Sequence, residues 1–138
     1  MTEFVLDPRL AADSEHLATI RGVQARMMND ARFPWLILVP EHPGASELFD
    51  LPKDAEANFM DVICRVGAAM KAEYAAEKMN IAQLGNVVTQ LHVHVIARWM
   101  SDLAGAAPIW GVGKPEPMTD DQKAERRTRF GKILASLS

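Results

Sequence analysis

A single cysteine, Cys64, leaves no partner for an intrachain disulfide. A reducing, cytoplasmic setting is the expectation that follows. Basic charge is not in excess either: 15 Lys and Arg stand against 18 Asp and Glu, for a net charge of −3. That balance argues against a large face for a nucleic acid polymer. No apolar run approaches the roughly 18 residues of a membrane span. The densest, residues 34–40, is far shorter, so no membrane partner is expected. The first ten residues lack a basic segment followed by an apolar stretch, so they do not read as a secretory signal. There is no internal repeat, low-complexity tract or linker. What remains is 138 residues, 49% apolar and 24% charged, the composition of an ordinary packed globule. One domain over residues 1–138 is expected, because a second core would not fit comfortably.

The pattern along the chain predicts α+β architecture, a mostly antiparallel sheet with one long central helix and a C-terminal helix. Asp7 and Pro8 can cap and open a short helical turn. Residues 16–20 and 23–28 read as two strands joined at Arg21-Gly22. Residues 34–40 form an apolar run bracketed by prolines, the pattern of a strand buried on both faces. A long helix is expected over about residues 54–79. Its apolar stripe is Phe59, Val62, Ile63, Val66, Met70 and then Tyr74 or Glu73. Cys64, inside that stretch, reads as a buried small hydrophobe. Strands are expected over residues 79–84 and 87–99. Residues 100–117 are too punctuated by Gly and Pro for regular structure. Thr119 and Gln122 form a capping box for a final helix to about Leu137. The Arg126, Arg127 and Arg129 cluster on it reads as a solvated helix face.

Chemistry concentrates in Thr89-Gln90-Leu91-His92-Val93-His94-Val95-Ile96. On a strand, Gln90, His92 and His94 project together, while Leu91, Val93 and Val95 point into the core. Three readings fit that row. Two imidazoles can simply occupy a solvated face. A His-x-His pair can supply two metal ligands, although the third would have to come from His42 or Asp102 at unremarkable spacing. Or a neutral imidazole can attack phosphorus, with a second imidazole beside it for proton handling or charge stabilisation.

The segment from Gln90 to Ile96 resembles the signature of the histidine-triad superfamily: His, apolar, His, apolar, His, apolar, apolar. Gln stands in the first position. The resemblance extends over Asn29-Asp30, the 34–40 run, Leu51 before the long helix, and Asn80, Gly85 and Asn86. It implies a sheet carrying a long helix and a homodimer. It also implies a nucleotide hydrolase or transferase that attacks the α-phosphate of a nucleoside phosphoramidate, dinucleoside polyphosphate or nucleotidyl conjugate. The implied intermediate is a nucleotidyl-histidine, and no metal or organic cofactor is required. By position, His92 is the implied nucleophile and His94 the implied contact to phosphate and leaving group. Asn29 or Asp30 matches the ribose position, and Asn80 and Asn86 match polar positions near phosphate. Val87 stands where a hydroxyl donor is usual, and Arg98 reads either as a phosphate contact or as a surface charge. Trp35 occupies a place where the family often has another histidine. Gln90 and Trp35 together replace a proton-exchanging pair, which leaves a second reading open: a nucleotide-binding module with little turnover. The residues around the sheet ends read more plainly. Trp99 and Trp110 are expected to pack, His42 to lie in a loop, and His16 to be an exposed strand residue.

Overall fold

The computed structural model describes residues 3–137. Asp7 accepts a hydrogen bond from the Arg9 amide at 2.8 Å, and Pro8 occupies the first helical turn of α1, Pro8–Asp13. β1, Ser14–Ile20, and β2, Val23–Met28, form the expected hairpin, with Arg21 and Gly22 at φ 48° and 78° in its turn. β3, Trp35–Pro40, is buried along its whole length. A 3-10 turn, Leu48–Asp50, precedes the long helix α2, Lys53–Tyr74. β4, Lys78–Gln83, and β5, Val93–Arg98, complete the sheet, and α3, Asp120–Ala135, packs behind it. Strand order is β1-β2-β3-β5-β4, with every neighbour antiparallel.

The sheet separates two apolar layers. Leu36, Leu38, Leu91, Val93 and Val95 meet Phe59, Val62, Ile63, Val66 and Met70 of α2 and Phe130, Ile133 and Leu134 of α3. The opposite face is covered more thinly. There Trp35, Ile37, Val39 and Ile96 meet Leu10 of α1, Phe33 and Ile109. Burial on both faces explains why β3 lacks polar alternation. No helix among the described residues is long and apolar enough to cross a membrane.

Four expectations are corrected. The central helix stops at Tyr74 rather than Met79, because Ala75 turns left-handed (φ 47°) and its amide reaches the Ala72 carbonyl. The chain then enters β4. The strand expected from Val87 begins only at Val93. Pairing with β4 starts at Gln83↔Val93, and the Leu91 amide instead reaches Ala45 across a loop. Cys64 is exposed, since it lies off the α2 stripe that buries Ile63 and Val66. Two of the three arginines of α3, Arg126 and Arg129, are partly buried tethers, while Arg127 stays exposed as expected. Arg126 donates to the Asp30, Ala31 and Phe33 carbonyls, Arg127 pairs with Glu15, and Arg129 reaches Glu73 while its guanidinium lies 3.9 Å from the centre of the Tyr74 ring. The capping box of Thr119 and Gln122 forms as expected, and the 100–117 segment holds no helix or strand.

Candidate active site

His92 and His94 lie on the thinly covered face, both buried, with ring centroids 5.0 Å apart. Leu91, Val93 and Val95 enter the opposite core, so the alternation continues through His92 although the strand begins one residue later. Each imidazole has one ring nitrogen fixed by a neighbour of a single hydrogen-bonding sense. His92 Nδ1 lies 2.7 Å from the Gln90 carbonyl oxygen. A carbonyl only accepts, so Nδ1 carries the hydrogen, and in the neutral ring Nε2 keeps its lone pair. The Trp35 indole N–H donates to His94 Nδ1 at 3.0 Å. An indole only donates, so His94 holds its hydrogen on Nε2. Burial, and then the neighbouring His92, lower the His94 pKa to about 4. His94 is therefore a neutral donor at ordinary pH. Trp110 stacks edge-on against it, with centroids 5.0 Å apart, and also meets Trp35 at 6.1 Å.

A cleft of about 320 Å³ opens over the two histidines. That is at the small end of ligand sites, which run from ~300 to 1,000 Å³. Trp35, Ile37, Met28, Leu10 and Trp110 supply an apolar wall. Residues 84–88 supply a loop wall that includes Asn86 and Val87, and α1 supplies Arg9 and Asp13. An apolar wall opposite a short row of donors suits a planar ring joined to a phosphate.

The structure brings only part of the expected set together. His92, His94, Asn86 and Val87 line the cleft. Gln90 does not: its side-chain oxygen accepts from the Asp7 amide and its nitrogen donates to the Val5 carbonyl, both at 2.8 Å. Asn29 and Asp30 also lie outside it. Asn29 accepts from the Met118 amide, and the buried Asp30 carboxylate pairs with Arg32 at 2.8 Å. Burial alone would raise the Asp30 pKa, but the Arg32 guanidinium and amide hold it below the usual carboxylate value. It is Met28, just before them, that faces the cleft.

Arg98 is not a surface charge, and it does not line the cleft over the histidines. It is buried, paired with Asp102 at 2.7 Å, and bonded to the Asn80 side chain and the Gly105 carbonyl. The Arg98 guanidinium, working against burial, holds the Asp102 carboxyl well below its usual range. Asn80 is thereby committed away from the histidines. Trp110, expected to pack, is 39% exposed and lines the cleft, whereas Trp99 does pack, bonding the Ala75 carbonyl beside Tyr74. His42 lies in its loop, and His16 is exposed on β1 beside Thr19. Sequence reasoning missed Arg9, Leu10, Asp13, Met28, Ile37 and Leu84, because nothing local to α1 says which face of the sheet it crosses. Among the described residues, no three His, Cys, Asp or Glu side chains cluster to hold a metal.

Residues 9–100 match the HIT domain family. A histidine triad protein from Sinorhizobium meliloti 1021 is 42% identical, with a TM-score of 0.91 over 95% of this chain and 97% of that one. A histidine triad protein from Marinobacter aquaeolei VT8 is 36% identical, with a TM-score of 0.96 over 99% of this chain and 100% of that one. The diadenosine triphosphate hydrolase of Plasmodium falciparum shares the fold at 16% identity, with a TM-score of 0.62 over 99% of this chain and 86% of that one. No curated protein matches.

Proposed function

Since this chain belongs to the HIT family, we propose that it is a nucleotide hydrolase or transferase acting through a nucleotidyl-histidine on His92. The observation that carries this reading is the His92 tautomer, fixed by the Gln90 carbonyl at 2.7 Å. In the first step the Nε2 lone pair forms a bond to the α-phosphorus of a nucleoside phosphoramidate, dinucleoside polyphosphate or nucleotidyl conjugate. The bond from phosphorus to the leaving group breaks, and its electron pair departs with that group, which takes a proton from solvent as its own basicity requires. In the second step water, or another acceptor, adds to phosphorus. The N–P bond breaks, its electron pair returns to Nε2, and the proton of the attacking water goes to solvent. The Gln90 carbonyl accepts from Nδ1–H throughout, and it stabilises the positive charge the ring carries while phosphorylated.

His94 supports this chemistry as a hydrogen-bond donor from Nε2 to phosphate oxygens. With a pKa near 4 it is not a cationic acid at neutral pH. Asn86 and the loop around it contribute further polar contact, and Trp110 and Trp35 give the base an aromatic wall. Neither step needs a metal or an organic cofactor. The homodimer implied by the resemblance belongs to the same reading. β4 is an edge strand, and Ile81 on it is 48% exposed. Light scattering that held at one 15.3 kDa chain at all concentrations would remove that part.

His92→Asn keeps polarity but cannot form the phosphorus–nitrogen bond. It should reduce turnover of adenosine 5′-phosphoramidate at least about a thousandfold, or ~4 kcal/mol in barrier, while adenosine monophosphate affinity stays nearly unchanged. Equal rates in parent and variant would refute the enzyme. A specific observation favours one alternative. The Gln90 and Trp35 side chains are both committed to structural bonds and cannot relay protons at neutral pH. A nucleotide-binding module with little turnover would then show tight monophosphate binding and no His92-dependent rate.

A further inference from the structure

The Gln90 side chain has a structural role of its own. The Gln90 amide bonds the Val5 carbonyl with its nitrogen and the Asp7 amide with its oxygen, both at 2.8 Å. These two backbone groups flank Leu6 and point the same way in extended chain, so a single side-chain amide closes both, as a neighbouring strand would. Asp7 in turn caps Arg9 at 2.8 Å, and α1 crosses the sheet face with Leu10 buried against Phe33, Trp35 and Ile37. A chain of hydrogen bonds therefore runs from His92 Nδ1 to the Gln90 carbonyl, and from the Gln90 side chain through Asp7 to Arg9. Arg9 and Asp13, four residues apart on α1, both line the cleft.

Charge decides what this wall does. The substrate of the proposed reaction is a phosphate anion, and the leaving group carries more negative charge when it is itself a phosphate. Among the described residues that line the cleft, Arg9 is the one cation. His94 is neutral, Arg98 is spent on Asp102, and Arg32 is spent on Asp30. Among the described residues, the Arg9 side chain has no carboxylate partner, not even Asp13 one helical turn on. Asp13 is the only carboxylate among the described residues of the wall. Its carbonyl accepts from the Asn29 amide at 3.1 Å, which seats it beside Met28 in the cleft wall. Arg9 is tied to Gln90 through Asp7 and lines the same cleft as His92. A leaving group departs in line, on the side of phosphorus opposite Nε2, and Arg9 is the cation of the cleft wall that can meet its charge.

We propose that Arg9 is a specificity-determining residue that selects substrates with an anionic leaving group, and that Gln90 is the positioning residue that holds it over the cleft. The inference rests on the proposed His92 chemistry. The Gln90 amide acts as a clamp on the chain before α1, and α1 brings a permanent positive charge to the cleft wall.

Two substrates with the same nucleotide and different leaving groups separate the claims. Diadenosine tetraphosphate expels a polyphosphate anion, and adenosine 5′-phosphoramidate expels ammonia. Arg9→Gln should lower kcat/KM for the tetraphosphate about tenfold or more, the effect of losing one charge-assisted hydrogen bond, and change the phosphoramidate less than about twofold. Gln90→Ala should move the same ratio in the same direction, with Arg9 still present. A residue that merely stabilised the fold would lower both rates alike and leave the ratio fixed. An unchanged ratio in Arg9→Gln, with His92-dependent turnover intact, overturns this inference and leaves the proposed function standing. A changed ratio in Arg9→Gln but not in Gln90→Ala overturns the clamp. Absence of any His92-dependent turnover with either substrate overturns the proposed function, and this inference with it.

Discussion

Replacing Trp35 with phenylalanine isolates the one hydrogen bond that sets the state of His94. The indole N–H meets Nδ1 at 3.0 Å, and the two residues are 6% and 7% exposed. A donor aimed at a ring nitrogen favours the lone pair there and opposes its protonation. It thus acts in the same direction as burial and His92, which lower the pKa from 6.5 to about 4. Phenylalanine keeps an aromatic ring and removes the donor. Nδ1 is then buried without a partner, at a cost of ~1–3 kcal/mol. The lost indole volume adds about 1 kcal/mol of cavity. A total of roughly 2–4 kcal/mol lowers Tm by about 6–12 °C for a chain of this size.

The pH dependence follows from the burial of His94 and, after it, from the neighbouring His92. As pH falls from 6.5 toward 4, unfolded His94 binds a proton that folded His94 refuses, so stability falls through that window and levels off below it. A shift of this size corresponds to roughly 3 kcal/mol across the window. In Trp35→Phe the His94 pKa rises, and the window narrows from its acid side. Urea unfolding at stepped pH, with the His94 imidazole titration followed by NMR, measures both effects. An unchanged Tm together with an unchanged His94 midpoint would show that the indole bond does not set the ring. Turnover of the phosphoramidate should fall in the same variant, because His94 can then adopt either tautomer.

Three further perturbations test the frame around the site. Asp102→Asn leaves the buried Arg98 guanidinium without its carboxylate and should cost about 3–5 kcal/mol in urea unfolding; a loss below ~1 kcal/mol would contradict a buried, committed pair. Cys64 should react stoichiometrically with a thiol reagent in the native protein, since it is exposed; protection until unfolding would place it in the core after all. Gly67→Ala should lie within about 1 kcal/mol of the parent, because its new methyl meets only the tip of Ile81 at 3.3 Å and a helical glycine is removed. Gly67→Leu should destabilise in a thermal melt, because the larger side chain must displace β4.

Periodicity and local chemistry were enough to write down most of the elements. The 34–40 run announced a doubly buried strand because no polar residue interrupts it. Asp7-Pro8 and Thr119–Gln122 announced helix starts because a cap is satisfied within its own first turn. The pairing of His92 with His94 on one face needed only the two-residue period of extended chain. Where a side chain's surroundings come from distant segments, the local residues did not decide them. Cys64, Arg126 and Arg129 looked apolar or solvated by their neighbours in sequence, but exposure depends on the helix face and on partners 50 or more residues away.

The candidate site divides along the same line. Sequence alone determined that two imidazoles share a strand face, since backbone geometry imposes that at short range. It did not determine what Gln90 bonds, since that amide spans 83 and 85 residues to Asp7 and Val5, or that Asp102 consumes the charge of Arg98. The tautomers of His92 and His94 were equally beyond it, because each depends on whether the nearest atom is a carbonyl oxygen or an indole N–H. A strand fixes the direction of its side chains by its own geometry, but a proton position, an ion pair or a cleft wall is a property of two or more distant segments. Only chain closure in three dimensions, with α1 drawn across the β3–β5 face by Leu10 and Gln90, decides which groups meet.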